Sequence, residues 1–294
     1  MQLLTYFSAN TLSIIPRSIH SLSQLAKQDA IQITPLILRA FPHLKQLDLS
    51  RTCLTNLNEC KSENLERLNL SLCHNFTAFL QIKDLFPNLK SLNLSEAAIT
   101  LLDDLKGLPL EELDLSACKN LSAEEFFKIK DLFPNLRRLN LGWSFISDLE
   151  RLKALPLEEL YLYGCHSLTR KAFPKINVLF PLLKKLKLNW IEIKELKEIA
   201  GLPLEELNLF GCQKLPSEEF LKIKDLFPHL RRLNLGWTEI NGLDGLAGLS
   251  LEELDLCSCL KLTAEELHKI KDLFPQLKSV NLVGTAIADS DLLG

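Results

Sequence analysis

The sequence has no apolar run that approaches the roughly 20 residues a membrane-spanning helix needs. Its composition, 47% hydrophobic and 24% charged, is typical of a soluble protein with a well-packed core. The first seventeen residues, MQLLTYFSANTLSIIPR, lack a basic segment before their apolar residues and lack a small-residue cleavage site. We therefore expect neither membrane insertion nor a secretory signal.

The sequence also lacks a cluster of basic residues. Its 34 Lys and Arg residues are mixed along the chain with 37 Asp and Glu residues, and the formal net charge is −3. A nucleic-acid-binding protein usually has a basic patch or stripe on its surface. We therefore expect no nucleic-acid partner.

Groupings typical of catalytic or metal sites are missing as well. None of the six histidines is placed with a Cys or Ser as a nucleophile pair, although His74 and His166 directly follow Cys73 and Cys165. Adjacent residues near a strand end usually point apart, so these two pairs do not predict a catalytic dyad. We expect no enzyme activity, no metal and no other cofactor.

One six-residue phrase, leucine-x-x-leucine-x-leucine, occurs eleven times, and Val280 is its only substitution. From Leu110 onward the intervals between phrases alternate between 21 and 26 residues, so the full unit is a pair of 47 residues. Such repetition predicts a solenoid, in which each repeat packs only on its neighbours. The phrases begin at Leu44, Leu65, Leu89, Leu110, Leu136, Leu157, Leu183, Leu204, Leu230, Leu251 and Leu277.

The phrase and its flanks predict the local structure of each repeat. The fourth and sixth leucines alternate with polar residues, which is the period of a half-buried strand. In the longer repeats Ser122 with Glu125, and Thr263 with Glu266, predict the start of a helix, and a following Phe-Pro pair predicts its end. Apolar residues three apart in the shorter repeats suit a 3₁₀-like turn. The predicted fold class is α/β: a curved horseshoe with a parallel sheet on its concave side and helices and 3₁₀ turns on its convex side.

Unbroken repetition predicts one elongated domain instead of the two that 294 residues would suggest. Residues 44–294 hold the eleven repeats. Residues 1–43 are predicted to form an N-terminal cap with a degenerate first repeat, because 18–43 has the length of a repeat and 37–42 resembles 129–134. The last repeat has no evident polar cap, which leaves self-association through that end or an edge open.

Five of the eight cysteines stand eight residues after the first leucine of each longer repeat. Just past the strand, a thiol is predicted to be a small buried group that hydrogen-bonds loop carbonyls. Such a ladder does not converge on one point, so we expect a structural role and no metal site. Unpaired thiols favour a reducing compartment, such as the cytoplasm of the source cell, or of a host cell for an exported protein. The five are Cys73, Cys118, Cys165, Cys212 and Cys259.

In these features residues 18–294 resemble leucine-rich repeat proteins. The longer units, such as LEELDLSACKNLSAEEF at 110–126, resemble the cysteine-containing repeats in the substrate-binding arms of F-box ubiquitin ligase subunits. The shorter units resemble the tight repeats of bacterial and regulatory-subunit relatives, and the alternation is similar to that in repeat proteins of intracellular bacteria. No F-box is found in residues 1–43, so the ligase-adaptor role does not follow from the resemblance.

If the fourth and sixth leucines point inward, the third, fifth and seventh positions face the concave side. In seven consecutive repeats the third position alternates between acid and base. This charge ladder prevents repulsion between like charges at strand spacing, and it lies on the surface that a partner would contact. The charge ladder consists of Glu112, Arg138, Glu159, Lys185, Glu206, Arg232 and Glu253.

Aromatic residues are concentrated at the seventh and eighth positions of five consecutive repeats. All three tryptophans lie there, each beside a small or polar residue, whereas flanking repeats have serine at the seventh position. Such a strip is typical of interface hot spots. The competing interpretation is that each ring covers a neighbouring glycine and seals the rim of the core. With Tyr161 of the adjoining fifth position, the aromatic strip comprises Trp143, Tyr161, Tyr163, Trp190, Phe210 and Trp237.

The sequence therefore predicts a non-catalytic scaffold that binds a protein partner through its concave and strand-end surfaces. One alternative is a substrate-recruiting adaptor or secreted bacterial effector that acts on host machinery such as the ubiquitin system. An enzyme is the least favoured class, because the sequence shows no catalytic cysteine domain of the kind that bacterial ligases join to such repeats. Reactivity of Cys257, a thiol at a seventh position, would revive an enzymatic or redox function.

Overall fold

The computed structural model describes residues 18–19, 34–35, 37–39, 41–57, 60–168 and 176–287. Contacts along the chain define two compact units. The first comprises Met1–Leu121 and Asp131–Asn135, and the second comprises Ser122–Lys130 and Leu136–Gly294. Most of the predicted cap at 1–43 lies outside the described residues, and the single continuous domain stays a prediction.

The first unit contains short strands that pair in parallel, in the order of the sequence. Four of them coincide with the third to fifth positions of a phrase. The other, β1, lies in the predicted cap and pairs with β2, where a strand of a preceding repeat would lie. The strands are β1 Ser18–Ile19, β2 Gln46–Asp48, β3 Arg67–Asn69, β4 Ser91–Asn93 and β5 Glu112–Asp114.

The second unit also contains parallel strands in sequence order, one at each remaining phrase. The register places equivalent residues of neighbouring phrases side by side, so that Arg138 pairs with Glu159 and Glu159 with Lys185. The strands are β6 Arg138–Asn140, β7 Glu159–Tyr161, β8 Lys185–Lys187, β9 Glu206–Asn208, β10 Arg232–Asn234, β11 Glu253–Asp255 and β12 Ser279–Asn281.

Short helices and 3₁₀ turns connect the strands. Three of the longer repeats hold two helices of four or five residues where the sequence predicts one. Residues 34–35 and 37–39 are helical. The described α-helices that follow them are α1 Ile82–Leu85, α2 Ala123–Phe127, α3 Ile129–Leu132, α4 Ile176–Leu179, α5 Ser217–Phe220, α6 Ile223–Leu226, α7 Ala264–His268 and α8 Ile270–Leu273. The 3₁₀ turns are Phe79–Gln81, Leu102–Leu105, Glu150–Leu152, Leu196–Ile199 and Asp244–Leu246, and all but the first lie in shorter repeats.

Of the two residues predicted to cap helices, Thr263 does so and Ser122 does not. Thr263 Oγ1 accepts a hydrogen bond from the backbone N–H of Glu266 at 3.3 Å, whereas the Ser122 side chain makes no cap bond to α2. Glu266 also has a second role, because its Oε2 accepts from the N–H of Leu243 at 3.0 Å. This carboxylate therefore caps the 3₁₀ turn of the preceding shorter repeat.

The leucines of the phrase form the core. In the repeat that begins at Leu157, the first, fourth and sixth residues, Leu157, Leu160 and Leu162, are all fully buried. Burial of each contributes about 1.5–3 kcal/mol to folding. The strand's intervening residues face away from the leucines, so each strand presents one apolar and one polar face, as the alternation predicts.

A tight turn follows each of the strands β2 to β12 and was not predicted from the sequence. In the repeat of β6 it is closed by a hydrogen bond from the N–H of Ser144 to the carbonyl of Leu141 at 3.1 Å. The eighth residue of each phrase is the third residue of this turn and has a positive φ of 53–75°, as in a type II turn. These residues are Arg51, Leu72, Glu96, Ala117, Trp143, Gly164, Trp190, Gly211, Trp237, Ser258 and Gly284.

Replacement of Leu160 by alanine is expected to lower the free energy of unfolding by about 2–5 kcal/mol, because it leaves a cavity in a fully buried row of the core. Urea unfolding measured by circular dichroism gives the value. Leu221→Ala is the matched control, since that side chain is exposed and its loss is expected to change stability by less than about 0.5 kcal/mol. Equal effects of the two substitutions would contradict the proposed core.

Candidate functional site

The aromatic strip lies entirely in the second unit, at the edge of the sheet where the strands end. Tyr161 is the last residue of β7. The other five residues follow β6 to β10 by two or three positions, one after each strand. Because the strands are parallel and in register, their ends meet at one edge. The structure therefore brings all six residues to the same edge.

The three tryptophans occupy a backbone conformation that favours glycine. Trp143, Trp190 and Trp237 are eighth residues of their phrases, with φ of 56°, 62° and 56°. In this left-handed region a side chain with a Cβ costs about 1–2 kcal/mol, and a bulky residue is unusual there. Three repeats of the chain place glycine at this position, so the tryptophans are not needed to form the turn.

Glycines of the next repeat make room for two of these rings. A Cβ added to Gly164 would lie 2.5 Å from the Trp143 ring, and one added to Gly211 would lie 2.5 Å from the Trp190 ring. In the opposite direction, Tyr163 covers Gly142, where an added Cβ would lie 2.2 Å from the phenol ring. The rings therefore lie against neighbouring glycines, as the competing interpretation expects.

The same rings are nevertheless open to solvent. Trp143, Trp190 and Trp237 are 49%, 37% and 47% exposed. A large apolar side chain that only seals a core is normally covered, whereas half-exposed aromatic rings grouped at one edge are typical of contact surfaces. The tryptophans thus pack on the protein with one side and present the other.

Two groups of aromatic contacts hold the rings in place. Trp190 lies edge-on to Phe210 and Trp237, with ring centroids 5.2 and 5.9 Å apart, and Phe210 stacks on Trp237 at 6.4 Å. Trp143 lies edge-on to the imidazole of His166 at 5.5 Å. Such contacts add about 0.5–1.5 kcal/mol each and reduce the entropy that the rings would lose on binding.

Two exposed apolar residues at this edge were missed in the sequence. Phe145 and Leu260 are 56% and 82% exposed and follow β6 and β11. Both are at the tenth position of the phrase, where the neighbouring repeats have polar residues such as His166 and Glu239. Comparison of the tenth positions would have revealed them: Phe145 adds to the edge in the repeat of Trp143, and Leu260 extends it to the repeat that follows Trp237.

The third and fifth positions of β6 to β12 form the open sheet face, which adjoins the aromatic strip. Glu159 accepts two hydrogen bonds from Arg138, at 2.6 and 3.0 Å, and contacts Lys185 at 2.8 Å. Glu206 contacts Arg232 at 3.0 Å and Lys187, a fifth-position residue, at 3.5 Å. Ladder residues on neighbouring strands of this unit therefore lie side by side, but Glu253 makes no ion pair with any described residue. Glu112 lies in the first unit, where Ser91 donates to it at 3.0 Å.

Glu159 is the most strongly bound acid of the open sheet face. Burial would raise the pKa of its carboxyl, but hydrogen bonds from Arg138, Lys185 and Tyr161 outweigh burial and lower that pKa to about 2. The Tyr161 hydroxyl donates to Glu159 Oε2 at 2.6 Å, and burial together with this bond raises the pKa of the phenol. Glu159 therefore stays ionised at neutral pH and holds three side chains on the face.

The fifth positions show where two repeats depart from the others. In nine of the eleven phrases this residue is Asn or Asp, and its side chain accepts a hydrogen bond of 2.8–3.2 Å from the backbone N–H two residues later. Tyr161 and Lys187 replace it in two consecutive repeats, and lysine has no acceptor for this bond. Instead, Lys187 Nζ lies 4.7 Å from the centre of the Tyr161 ring.

The predicted cysteine ladder is buried. Each of the five thiols donates to the carbonyl of the sixth phrase residue of the preceding repeat, at 2.9–3.2 Å. Burial raises the pKa of the Cys118 and Cys212 thiols to about 12. None of the eight cysteines, all of which lie within the described residues, forms a disulfide. These thiols satisfy carbonyls at the strand ends, and their geometry offers nothing to a ligand.

The described residues contain no group of three or more His, Cys, Asp or Glu side chains that could hold a metal ion. Within the same residues, no helix has the length and apolar character to cross a bilayer. A depression of about 520 Å³ in the first unit is lined by Cys53 and His74, which occupy tenth positions of neighbouring repeats and were not paired from the sequence. His74 Nδ1 lies 3.0 Å from the carbonyl of Glu96, and no described hydrogen bond joins the imidazole to the thiol. The geometry therefore does not form an activated nucleophile.

Glu159→Gln is expected to lower the free energy of unfolding by about 1–3 kcal/mol at pH 7, because Arg138 and Lys185 lose their common anion. A lowered pKa in the folded state means that this stabilisation is present above the ordinary pKa of 4.5 and is lost as the pH falls towards 2. Urea midpoints measured from pH 7 to pH 2 should therefore converge for wild type and variant at low pH. Glu253→Gln, which breaks no ion pair among the described residues, is the control.

Cys257 is expected to react slowly with thiol reagents. Burial and the adjacent Asp255 raise the pKa of its thiol to about 12, so only about one molecule in 10⁴ is thiolate at pH 8. Alkylation at pH 8, followed by peptide mass spectrometry, should be at least about 100-fold slower in the folded protein than in urea. Asp255→Asn should speed it. Equal alkylation rates in the folded and unfolded protein would contradict this prediction and would show that the Cys257 thiol is reactive in the folded state.

No family model and no curated protein sequence matches the chain. Solved structures do. The Rad7–Elc1 complex of yeast matches with 16% identity and a TM-score of 0.65 over 96% of this chain and 87% of the other. An internalin from Listeria monocytogenes matches with 22% identity and a TM-score of 0.51 over 79% and 78%. A complex of TLR13 with single-stranded RNA matches with 21% identity and a TM-score of 0.56 over 85% of this chain, which spans 44% of that one. These likenesses show the fold alone, a leucine-rich repeat solenoid.

Proposed function

We propose that this chain is a non-catalytic recognition scaffold that binds a protein partner through the aromatic strip and the open sheet face of its second unit. The observation that carries the proposal is the placement of Trp143, Trp190 and Trp237 at backbone positions that favour glycine, with their rings about half exposed. Tryptophan is among the residues most enriched at the energetic centres of protein interfaces.

The energetics of the tryptophans support contact with a partner over rim packing. The covered half of each ring buries roughly 100 Å², which contributes about 2–3 kcal/mol. The left-handed backbone costs about 1–2 kcal/mol of this. The net gain for folding from burial alone is therefore small, whereas covering the exposed half in a complex would add a similar burial with no further strain.

The charges of the open sheet face favour a protein over a nucleic acid. One similar structure is a TLR13 complex with single-stranded RNA, so the fold itself does not decide the class of partner. On this face, however, acids and bases are interspersed, and Glu159 and Glu206 occupy its centre. A polyanion would meet these carboxylates, whereas a protein surface can complement both signs.

The adaptor and effector alternatives are finer roles within the same class. They rest on the resemblance of the repeats, and no described residue argues for them. Self-association through the last repeat or an edge, and a cytoplasmic location, also remain predictions.

Trp190→Gly is expected to change the free energy of unfolding by less than about 2 kcal/mol, because relief of the left-handed strain offsets part of the lost burial. Glycine is chosen because the equivalent Gly211 shows that this turn accepts it. A ring whose main role is packing would instead cost about 3–5 kcal/mol on removal. Thermal and urea unfolding distinguish the two values.

The binding function is tested by affinity capture with wild type and with the triple variant Trp143→Gly, Trp190→Gly, Trp237→Gly. The matched control replaces three exposed apolar residues away from the strip, Leu80, Val178 and Leu221, with serine. We expect a partner retained by wild type and control to bind the triple variant at least about tenfold more weakly, as loss of hot-spot residues predicts. Equal retention by the triple variant, with its fold intact, would contradict the proposal.

A further inference from the structure

The open sheet face is electrically polarised along the stack of strands. On β6 to β8 three cations, Arg138, Lys185 and Lys187, surround the single carboxylate Glu159. On β9 to β12 the composition is reversed, with three carboxylates against one cation. These are Glu206, Glu253 and Asp255, with Arg232. The face therefore has an excess of positive charge at one end and of negative charge at the other.

The ion pairs on this face do not cancel the polarity. Glu159 is shared by Arg138 and Lys185, and Glu206 is shared by Arg232 and Lys187, so each anion is matched by two cations. Glu253 and Asp255 make no ion pair with a described residue. Asp255 is bound only by neutral donors, Asn234 Nδ2 at 3.0 Å and the N–H of Cys257 at 2.9 Å. The excess acid on β11 is therefore available to an external cation.

The register fixes the distance between the two ends. Lys187 on β8 lies in the same row as Asp255 on β11, with Asn208 and Asn234 between them. Three strand spacings of about 4.8 Å therefore separate the lysines of β8 from the acids of β11 by about 14 Å. A shallow groove of about 240 Å³ occupies the acidic end and is lined by residues of β9 to β12, most of them polar.

The aromatic strip joins these two ends. Trp190 follows β8, Phe210 follows β9 and Trp237 follows β10, so the contacting rings cover the interval between the lysines and the acids. A partner segment that lies along the strip would meet positive charge, then apolar rings, then negative charge. Opposite charges at the two ends of a contact select the direction and register of the partner more than they raise its affinity.

Resting on the proposed function, we infer that the partner is a protein segment with an acidic and a basic side chain about 14 Å apart and a large apolar side chain between them. The acidic group lies over Lys185 and Lys187, and the basic group over Glu253 and Asp255. A distance of about 14 Å corresponds to about nine residues of α-helix at 1.5 Å per residue, or about four residues of extended chain.

The test is selection from a displayed library of random peptides of roughly 20 residues, long enough to span about 30 Å as helices. The full chain is used as bait. Peptides enriched on wild type are expected to carry an acid and a base at one of the two separations, flanking an aromatic or large aliphatic residue. The affinity of each enriched peptide is then measured for wild type and for Trp190→Gly. Weaker binding to the variant shows that the peptide contacts the aromatic strip.

Two variants with the same change in net charge distinguish the effect of charge at the acidic end from the effect of the protein's net charge. Glu253→Lys with Asp255→Asn removes the acidic end, and asparagine keeps the turn bond that most fifth positions make. Glu218→Lys with Glu265→Gln makes the same change on exposed residues of α5 and α7. The first variant should weaken the selected peptides by roughly tenfold and select new peptides with acids at both ends, while the second should leave binding within about twofold.

The outcomes distinguish this inference from the function on which it rests. Peptides that depend on Trp190 but carry no pair of opposite charges, or that respond equally to the two charge variants, overturn the inference and leave the scaffold function standing. If no selected peptide depends on the tryptophans, the proposed function fails and the inference fails with it. Single-stranded RNA serves as a second probe, and binding of RNA tighter than that of the peptides would overturn both.

Discussion

Each repeat must fit the one before it at the spacing of a parallel sheet, about 4.8 Å, and this constraint governs every surface of the protein. In-register pairing places equivalent residues of neighbouring repeats side by side. A row of like charges would repel, so the third positions alternate in sign. A row of large rings would clash, so Trp143 and Trp190 each face a glycine of the next repeat. The thiols of the longer repeats likewise reach carbonyls one strand away.

Alternation of two repeat types gives the surface a period of two strands. The shorter repeats supply tryptophans at the eighth position of three phrases, and the longer repeats between them supply Gly164 and Gly211 at the same position. Tryptophans at the eighth position of adjacent repeats would overlap, because an added Cβ at Gly164 or Gly211 would already lie 2.5 Å from the preceding ring. The aromatic strip therefore repeats with the 47-residue pair of repeats. The contact between Trp190 and Trp237 spans one such pair.

The phrase predicts the strands and the buried leucines because its period is that of a pleated strand, and the parallel sheets confirm this part of the fold. The sequence predicts less well what depends on backbone conformation. The positive φ at the eighth position was missed, since only Gly164, Gly211 and Gly284 signal it and the tryptophans conceal it. The second role of Glu266, which caps a turn of the preceding repeat, was also missed, because contact between connections depends on how two repeats pack. Phe145 and Leu260 were overlooked because they lie beyond the phrase.

Two adjacent repeats depart from the pattern of the others at the surface where we propose that a partner binds. Elsewhere the fifth residue is Asn or Asp and stabilises the turn, but Tyr161 and Lys187 give up this bond in adjacent repeats. Trp190, at a strained position, follows the same strand as Lys187. Departures from local rules that lower stability are expected to cluster where a protein acts. Their coincidence on β7 and β8 supports our proposal that the partner binds at these strands, beside the rings that link them to the acidic end of the face.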